Sequence, residues 1–309
     1  MIYSRFLGVG SYLPQRVMTN DDLARIVDTS DEWIYSRTGM KERHIAREDE
    51  NTSDMAAAAA RAALLDAGVS AGELDLIILA TTTPDLTFPA SACRVQALVG
   101  ATCPGFDIQA VCTGFIFALA TADAYIKTGL YKKILVIGAD KMSGIVDWTD
   151  RGTCVLFGDG AGAVVLGAAD TPGILASRLH AAGEKYDILK TTDAGKVFMS
   201  GQEVFKIAVG KMPEVSEEVV RAAGLSNSDI DWFIPHQANV RIIDAAMKHL
   251  DLAPEKVVRT VQKHANTSSA SIPLALDAAI RDGRIKRGDN ILMTAMGGGF
   301  TWGSVVAKY

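Results

Sequence analysis

Cys112 sits in "QAVCTGFIFALA", ahead of apolar residues at Phe115, Leu119, Ala122 and Ile126, which form a helical stripe. A thiol on the first turn of such a helix meets unsatisfied N–H groups and the positive end of the dipole, which favour thiolate. It reads as a nucleophile, or, more plainly, as the small buried hydrophobe that most free cysteines are. Cys93, Cys103 and Cys154 lack such a setting. His236 ends an apolar strand in "DWFIPHQANVRII", where Pro235 interrupts regular hydrogen bonding. Strand ends in parallel sheets are common ligand positions, and an imidazole there can donate to a carbonyl oxygen or shuttle a proton. The alternative is a core histidine with one satisfied nitrogen. Asn266, in "QKHANTSSASIPLALDAAI", either caps the next helix or aims its amide at a developing oxyanion. Gly297, Gly298 and Gly299 follow a strand, and their backbone can approach a reacting atom closely. A thiol, an imidazole, an amide and a glycine loop are the parts of a nucleophile with an oxyanion hole.

The elements that must position these residues alternate. Buried strands are expected at 74–82, 132–140, 161–167, 231–236, 290–296 and 303–309, with helical spacing between them, as in 53–68. That order predicts an α/β fold with largely parallel sheets. The tract 180–196 is the most loop-like. The chain also echoes itself. "DAGVSAGELDLIIL" resembles "AAGLSNSDIDWFIP", pairing Gly68 with Gly224, Ser70 with Ser226 and Asp75 with Asp231, each 156 apart. "KKILVIGAD" matches "DNILMTAMG" at 157, and "TGLYKK" matches "DGRIKR" at 154. The last register sets Asn266 opposite Cys112, at equivalent helix starts. Two similar halves, 1–170 with the cysteine and 171–309 with the histidine and asparagine, would then meet at a shared site.

Composition excludes several classes. The 309 residues are 49% hydrophobic and 22% charged with a formal charge of −5, against a nucleic-acid protein. No run of about 18 apolar residues predicts a membrane span, and the start shows no signal peptide. Four cysteines without CxxC spacing predict reduced thiols in the cytoplasm. The histidines form no HExxH or Cys/His pattern, so no metal is expected. "FGDGAGAVVLG" lacks the GK[ST] of a P-loop and fails GxGxxG, so no dinucleotide site is expected either.

The residues resemble the β-ketoacyl-acyl-carrier-protein synthase III family of the thiolase-like superfamily. The likeness rests on "DTSDEWIYSRTGMKERHIA", "AVCTGF", "DRGTCVLFGDGAGAVVL", "PHQANVRII", "NTSSASIPLAL" and "GGGFTWGS", and spans essentially the whole chain. It implies a thiolase-like fold, two pseudo-symmetric α/β halves in a five-layer αβαβα sandwich. It implies a triad of Cys112, His236 and Asn266, and an oxyanion hole from the N–H groups of Cys112 and Gly298. The implied reaction is a decarboxylative condensation of an acyl-CoA primer, acetyl-CoA foremost, with malonyl-acyl carrier protein, which initiates fatty acid synthesis without a resident cofactor.

The resemblance also carries binding residues. Trp33 and Arg151 resemble a pair that sandwiches the adenine of CoA, and Thr29 and Arg37 lie in the same matching string. Gly201 and Asn239 resemble contacts to the pantetheine arm. Phe88 resembles a side chain that closes the acyl pocket of the neighbouring subunit in a homodimer, with Met296 in the same pocket. Arg241, Lys206 and Lys248 offer a basic landing for the acidic carrier protein, solvated helix faces being the plain alternative. Ala265 stands where glycine usually precedes the asparagine, Met296 where an aromatic is expected, and the loop 180–200 is shorter than usual. Two rival functions follow: a condensing enzyme of polyketide or other specialised metabolism with the same triad, and a non-catalytic subunit that binds acyl carriers.

Overall fold

The computed structural model describes all 309 residues, as two twisted sheets with helices on three levels. The first sheet orders its strands Tyr3–Tyr12, Asp159–Ala169, Lys133–Lys141, Leu76–Ala80 and Gly105–Ile108. The second orders Trp232–Pro235, Asn290–Gly297, Thr301–Lys308 and Ile174–Ala181. Pairing repeats between them. Leu76–Ala80 runs parallel to Lys133–Lys141, as Trp232–Pro235 does to Asn290–Gly297, and the remaining steps toward Tyr3–Tyr12 and Ile174–Ala181 are antiparallel. The sheets are therefore mixed, more antiparallel than the strand–helix alternation suggests.

Why the strands are apolar on both faces follows from the layering. Along Leu76–Ala80, Leu76, Ile78 and Ala80 face inward, onto helices Gly114–Lys127 and Ser271–Arg281 in the middle layer. Ile77 and Leu79 face outward, onto helices Thr52–Ala67 and Ser91–Val99. The second sheet divides likewise: Ile234 and Met293 point inward, while Phe233 and Leu292 point outward in the core that includes helix Val240–His249. Helix, sheet, helix, sheet, helix are the five layers of the thiolase-like fold.

The internal echo is physical. Gly68 and Gly224 both take positive φ (62° and 73°) just after a helix. Ser70 with Glu73, and Ser226 with Asp229, form the same capping box on the following turn. Asp75 accepts the N–H groups of Lys132 and Lys133, and Asp231 that of Asn290. The register at the site differs from expectation. The single turns Val111–Thr113 and Ser268–Ala270 are equivalent, and both begin at positive φ, 49° at Val111 and 52° at Ser268. Cys112 therefore corresponds to Ser269, not to Asn266. The slip of three arises because Gly114–Lys127 has 14 residues and Ser271–Arg281 has 11, so matching the helix ends misplaces their beginnings.

Two segments depart from the sequence reading. Tyr3–Tyr12 is a long strand, hidden by Gly8 and Gly10. A Cβ on either would come within 2.3 Å of the backbone of the alanine-rich helix Thr52–Ala67, so the glycines permit that close packing. The supposed loop 180–196 is ordered as the end of Ile174–Ala181, the turns of Gly183–Ile188, and a hairpin of Leu189–Thr191 with Val197–Met199. That hairpin forms one wall of a cavity between the two sheets.

Candidate active site

A cavity of about 430 Å³ opens between the halves, and Cys112, His236 and Asn266 all line it, together with Gly298, Met296, Gly201 and Asn239. Each is held by its own element. Cys112 lies in the turn that leads into Gly114–Lys127. The strand end at Gly297 abuts that turn so closely that a Cβ there would lie 2.7 Å from the Cys112 nitrogen. Thr113 Oγ1 donates to the Thr301 carbonyl (3.2 Å), which ties the cysteine turn to the strand after the glycine loop.

His236 follows Trp232–Pro235, and its N–H donates to the Thr294 carbonyl at 2.7 Å. The next residue, Gln237, is wholly buried and fully bonded. Its amide nitrogen donates to the carbonyls of Pro235 and Val258, and its oxygen accepts the N–H groups of Thr260 and Val261. His236 Nδ1 lies 2.6 Å from the Ser271 hydroxyl. Asn266 is pinned to the first half: its N–H donates to Leu156 and its carbonyl accepts the Gly158 N–H. The Ser268 N–H donates to its side-chain oxygen at 2.9 Å, leaving the Nδ2 end as the donor for the cavity. Asn266 does not cap the following helix, whose N-cap is Ala270; its side-chain oxygen closes a local turn on Ser268 instead.

Burial sets the protonation states. It pushes the Cys112 thiol up to about 12; the neighbouring Ser268 hydroxyl pulls the other way, and the Asp140 carboxylate adds to the rise. This runs against the expectation of a thiol lowered by the helix start: the cysteine is 6% exposed, and desolvation is the largest influence on it. Burial also carries His236 down to about 3, so its imidazole is neutral. Both groups are uncharged at neutral pH.

The remaining residues form the cavity's wall and approaches. Phe157, Met142, Leu189 and Val197 make an apolar end, and none was singled out from the sequence. They are ordinary strand, turn and hairpin residues whose convergence is purely tertiary. Phe205 lines the cavity, and the Arg241 guanidinium covers its ring at 5.0 Å, which brings that exposed cation to the mouth. Lys206 and Lys248 are exposed nearby in sequence. Outside the cavity, Trp33 is flanked by the guanidinium groups of Arg37 (4.6 Å) and Arg151 (4.8 Å), and Arg151 also donates to the Asp28 carbonyl. A flat ring between Trp33 and Arg151 would need about 7 Å, two contact distances of roughly 3.5 Å, so the pair is closed on itself. Thr29 is half-buried beside this cluster in sequence, and its hydroxyl has no partner. Asn239 caps Val240–His249 through the Arg241 N–H and donates to the Arg37 carbonyl, which links the two regions. Phe88 is 81% exposed and stands away from its own chain's cavity.

Ala265 adopts φ 54°, ψ −154°, a backbone region nearly reserved for glycine. An alanine held there stores strain immediately before Asn266.

Comparison with known proteins agrees with this architecture. Residues 106–183 match the family described as 3-oxoacyl-[acyl-carrier-protein] synthase III, and residues 220–309 match its C-terminal part. The chain is 56% identical over 320 residues to a β-ketoacyl-[acyl-carrier-protein] synthase III of Neisseria meningitidis, with all of both chains covered. The solved 3-oxoacyl-[acyl-carrier-protein] synthase III of Aquifex aeolicus superposes with a TM-score of 0.97 at 54% identity, covering 99% of this chain and 100% of that one. The priming β-ketosynthase of the R1128 polyketide pathway gives 0.95 at 36%, covering 99% and 96%.

Two outcomes are expected. A thiol held near 12 keeps gaining thiolate through the alkaline range, so iodoacetamide modification of Cys112, read by peptide mass spectrometry, should accelerate about tenfold per pH unit from 7 to 10. A plateau below pH 9 would contradict the burial argument. Ala265→Gly should raise unfolding stability in urea by about 1 kcal/mol, the relief of positive-φ strain less the extra chain entropy of glycine. A loss of stability would show the strain to be absent.

Proposed function

The chain belongs to the 3-oxoacyl-[acyl-carrier-protein] synthase III family, and from that premise we infer how its cavity runs the reaction. It is a β-ketoacyl-acyl-carrier-protein synthase III, an acyltransferase that performs the initiating condensation of fatty acid synthesis. The observation that carries the reading of its residues is the meeting of a cysteine, a neutral imidazole and an amide donor in one apolar cavity.

In the first half-reaction Cys112 attacks the thioester carbon of an acyl-CoA. The new S–C bond forms, the C–S bond to CoA breaks, and the thiol proton leaves on the CoA sulfur. Storing the acyl group on the enzyme splits one hard step into two. The oxyanion that forms in the attack is read as held by the N–H groups of Cys112 and Gly298. In the second, malonyl-acyl carrier protein replaces CoA. Loss of CO2 leaves an enolate, whose oxygen receives the His236 Nε2–H and the Asn266 Nδ2–H. Its carbon attacks the acyl-cysteine and releases the thiolate, which takes up a proton. Preorganised donors in a dry site are worth most here, and losing one typically costs about a hundred- to a thousand-fold in rate. Both reacting carbons arrive as thioesters, so this reading calls for no resident metal or redox group.

We read the primer as acetyl-CoA or another short acyl-CoA, on the strength of the modest cavity and its apolar end. Trp33, Arg37 and Arg151 would take the adenine by stacking and cation–π contact, with Thr29 beside them. Gly201 and Asn239 would follow the pantetheine arm. Arg241, with Lys206 and Lys248, would receive the acidic carrier protein. We further propose a homodimer in which Phe88 enters the partner's cavity; the support is an 81%-exposed Phe88, an exposed Leu86 and the unpaired edge of Gly105–Ile108. The protein has no helix long and apolar enough to cross a membrane. Its four unpaired cysteines suit a reducing cytoplasm.

Incubation with a panel of acyl-CoAs, followed by malonyl-carrier-protein chase and mass spectrometry, should show an acyl adduct on Cys112 that the chase removes. No adduct in Cys112→Ser is expected; an adduct on another cysteine would sink the assignment. A preference for long or unusual primers would move the chain toward specialised metabolism. For docking, Arg241→Ala should raise the carrier-protein KM about tenfold in dilute buffer and leave acylation by acyl-CoA unchanged. The difference should shrink near 0.5 M salt, where the Debye length falls below about 5 Å. A KM indifferent to both salt and Arg241 would remove the basic landing.

A further inference from the structure

We propose that Ser271 is a positioning residue that fixes the tautomer of His236, holding its ring proton on Nε2, where it faces the reacting thioester. The inference rests on the donor role read above for His236. Ser271 opens the helix Ser271–Arg281, 35 residues from the histidine in sequence, and is 2% exposed. Its hydroxyl oxygen has two polar neighbours, His236 Nδ1 at 2.6 Å and the Gln237 backbone N–H at 3.4 Å. A backbone N–H can only donate, so the serine oxygen accepts from Gln237. The hydroxyl proton then has one acceptor in reach, Nδ1. A nitrogen that accepts carries no proton, so in a neutral imidazole the ring proton lies on Nε2. Burial keeps the imidazole neutral.

The consequence is selective. A fixed Nε2–H serves the enolate of the decarboxylation step. It does not serve as a base toward Cys112, so acylation should not depend on it. Ser271 therefore separates the two half-reactions.

The test combines spectroscopy with step-resolved kinetics on the full chain. Protein labelled with 15N in its histidine rings, assigned against His236→Ala, should show a protonated Nε2 and a bare Nδ1 for His236. Ser271→Ala should slow CO2 release from malonyl-carrier protein about tenfold, the scale of one lost buried hydrogen bond, with acetyl-CoA labelling of Cys112 within twofold of normal. Ser271→Thr, which keeps the hydroxyl, should recover most of the loss. A proton on Nδ1 overturns the proposal, and that measurement on the unaltered protein decides even if the alanine variant fails to fold. It is also overturned if Ser271→Ala leaves CO2 release unchanged, if it slows acylation equally, or if the threonine variant is as slow as alanine. His236→Ala separates the two levels. If that variant still releases CO2 at the normal rate, the donor role of His236 fails; if it is inactive while Ser271→Ala is normal, only the role of Ser271 fails.

Discussion

The buried carboxylate of Asp140 is the constraint on which the site depends. It ends a strand of the first sheet, yet one oxygen accepts the N–H and the hydroxyl of Ser269, at 3.0 and 2.6 Å, from the second half. Its other oxygen accepts the N–H groups of Thr82 and Thr83 and the hydroxyls of Thr81 and Thr83. A carboxylate with no exposure must be bonded this fully, because an unpaired buried charge costs several kcal/mol. The turn it grips, Ser268–Ala270, separates Asn266 from Ser271, the neighbour of His236. Gly138 lets this turn close on the strand, since a Cβ there would lie 2.4 Å from the Ser269 carbonyl oxygen. Fixing one turn against the first half thus fixes Asn266 and the Ser271 contact to His236 relative to Cys112.

The same carboxylate has a cost at the nucleophile. Its charge adds to the burial that raises the Cys112 thiol, although the Ser268 hydroxyl opposes it. The cavity therefore rests with a neutral thiol and a neutral imidazole rather than an ion pair. A site of neutral donors needs no counter-charge until the reaction produces one. In the reaction proposed above, charge would appear only as the oxyanion or enolate forms, where preorganised N–H donors are worth most. On that proposal, stabilisation would be confined to the transition state instead of being spread over the resting enzyme.

Much of this was legible in the sequence, and the failures have definite causes. The parallel strands were visible because two buried faces make continuous apolar runs, and the repeat because equal turns need equal residues, as at Gly68 and Gly224. Their places at strand and helix boundaries left Cys112, His236 and Asn266 open between packing, capping and chemistry; the resemblance of the surrounding strings to a known family is what implies them as a triad. The thiol shift had the wrong sign because the helix start is a local feature, whereas burial is supplied by the opposite half. Tyr3–Tyr12 escaped because Gly8 and Gly10 serve helix packing rather than strand propensity. Ser271 escaped because it lies in "NTSSAS", where every serine reads as a capping residue, and its partner is 35 residues away.

The pseudo-symmetry explains why those roles diverge. Equivalent turns at Val111–Thr113 and Ser268–Ala270 each begin with a residue at positive φ and each lead into a central helix. In the first, the middle position is a cysteine whose side chain faces the cavity. In the second, the middle position is Ser269, whose side chain turns to Asp140 and the Ala80 carbonyl instead. One copy of the motif thus presents the proposed nucleophile and the other supplies a clamp between the halves. On the proposed mechanism, catalytic asymmetry would come from what precedes and follows the second turn, Asn266 and Ser271, rather than from the turn itself. A two-fold repeat can in this way build a one-sided site: one fold, used once to react and once to hold.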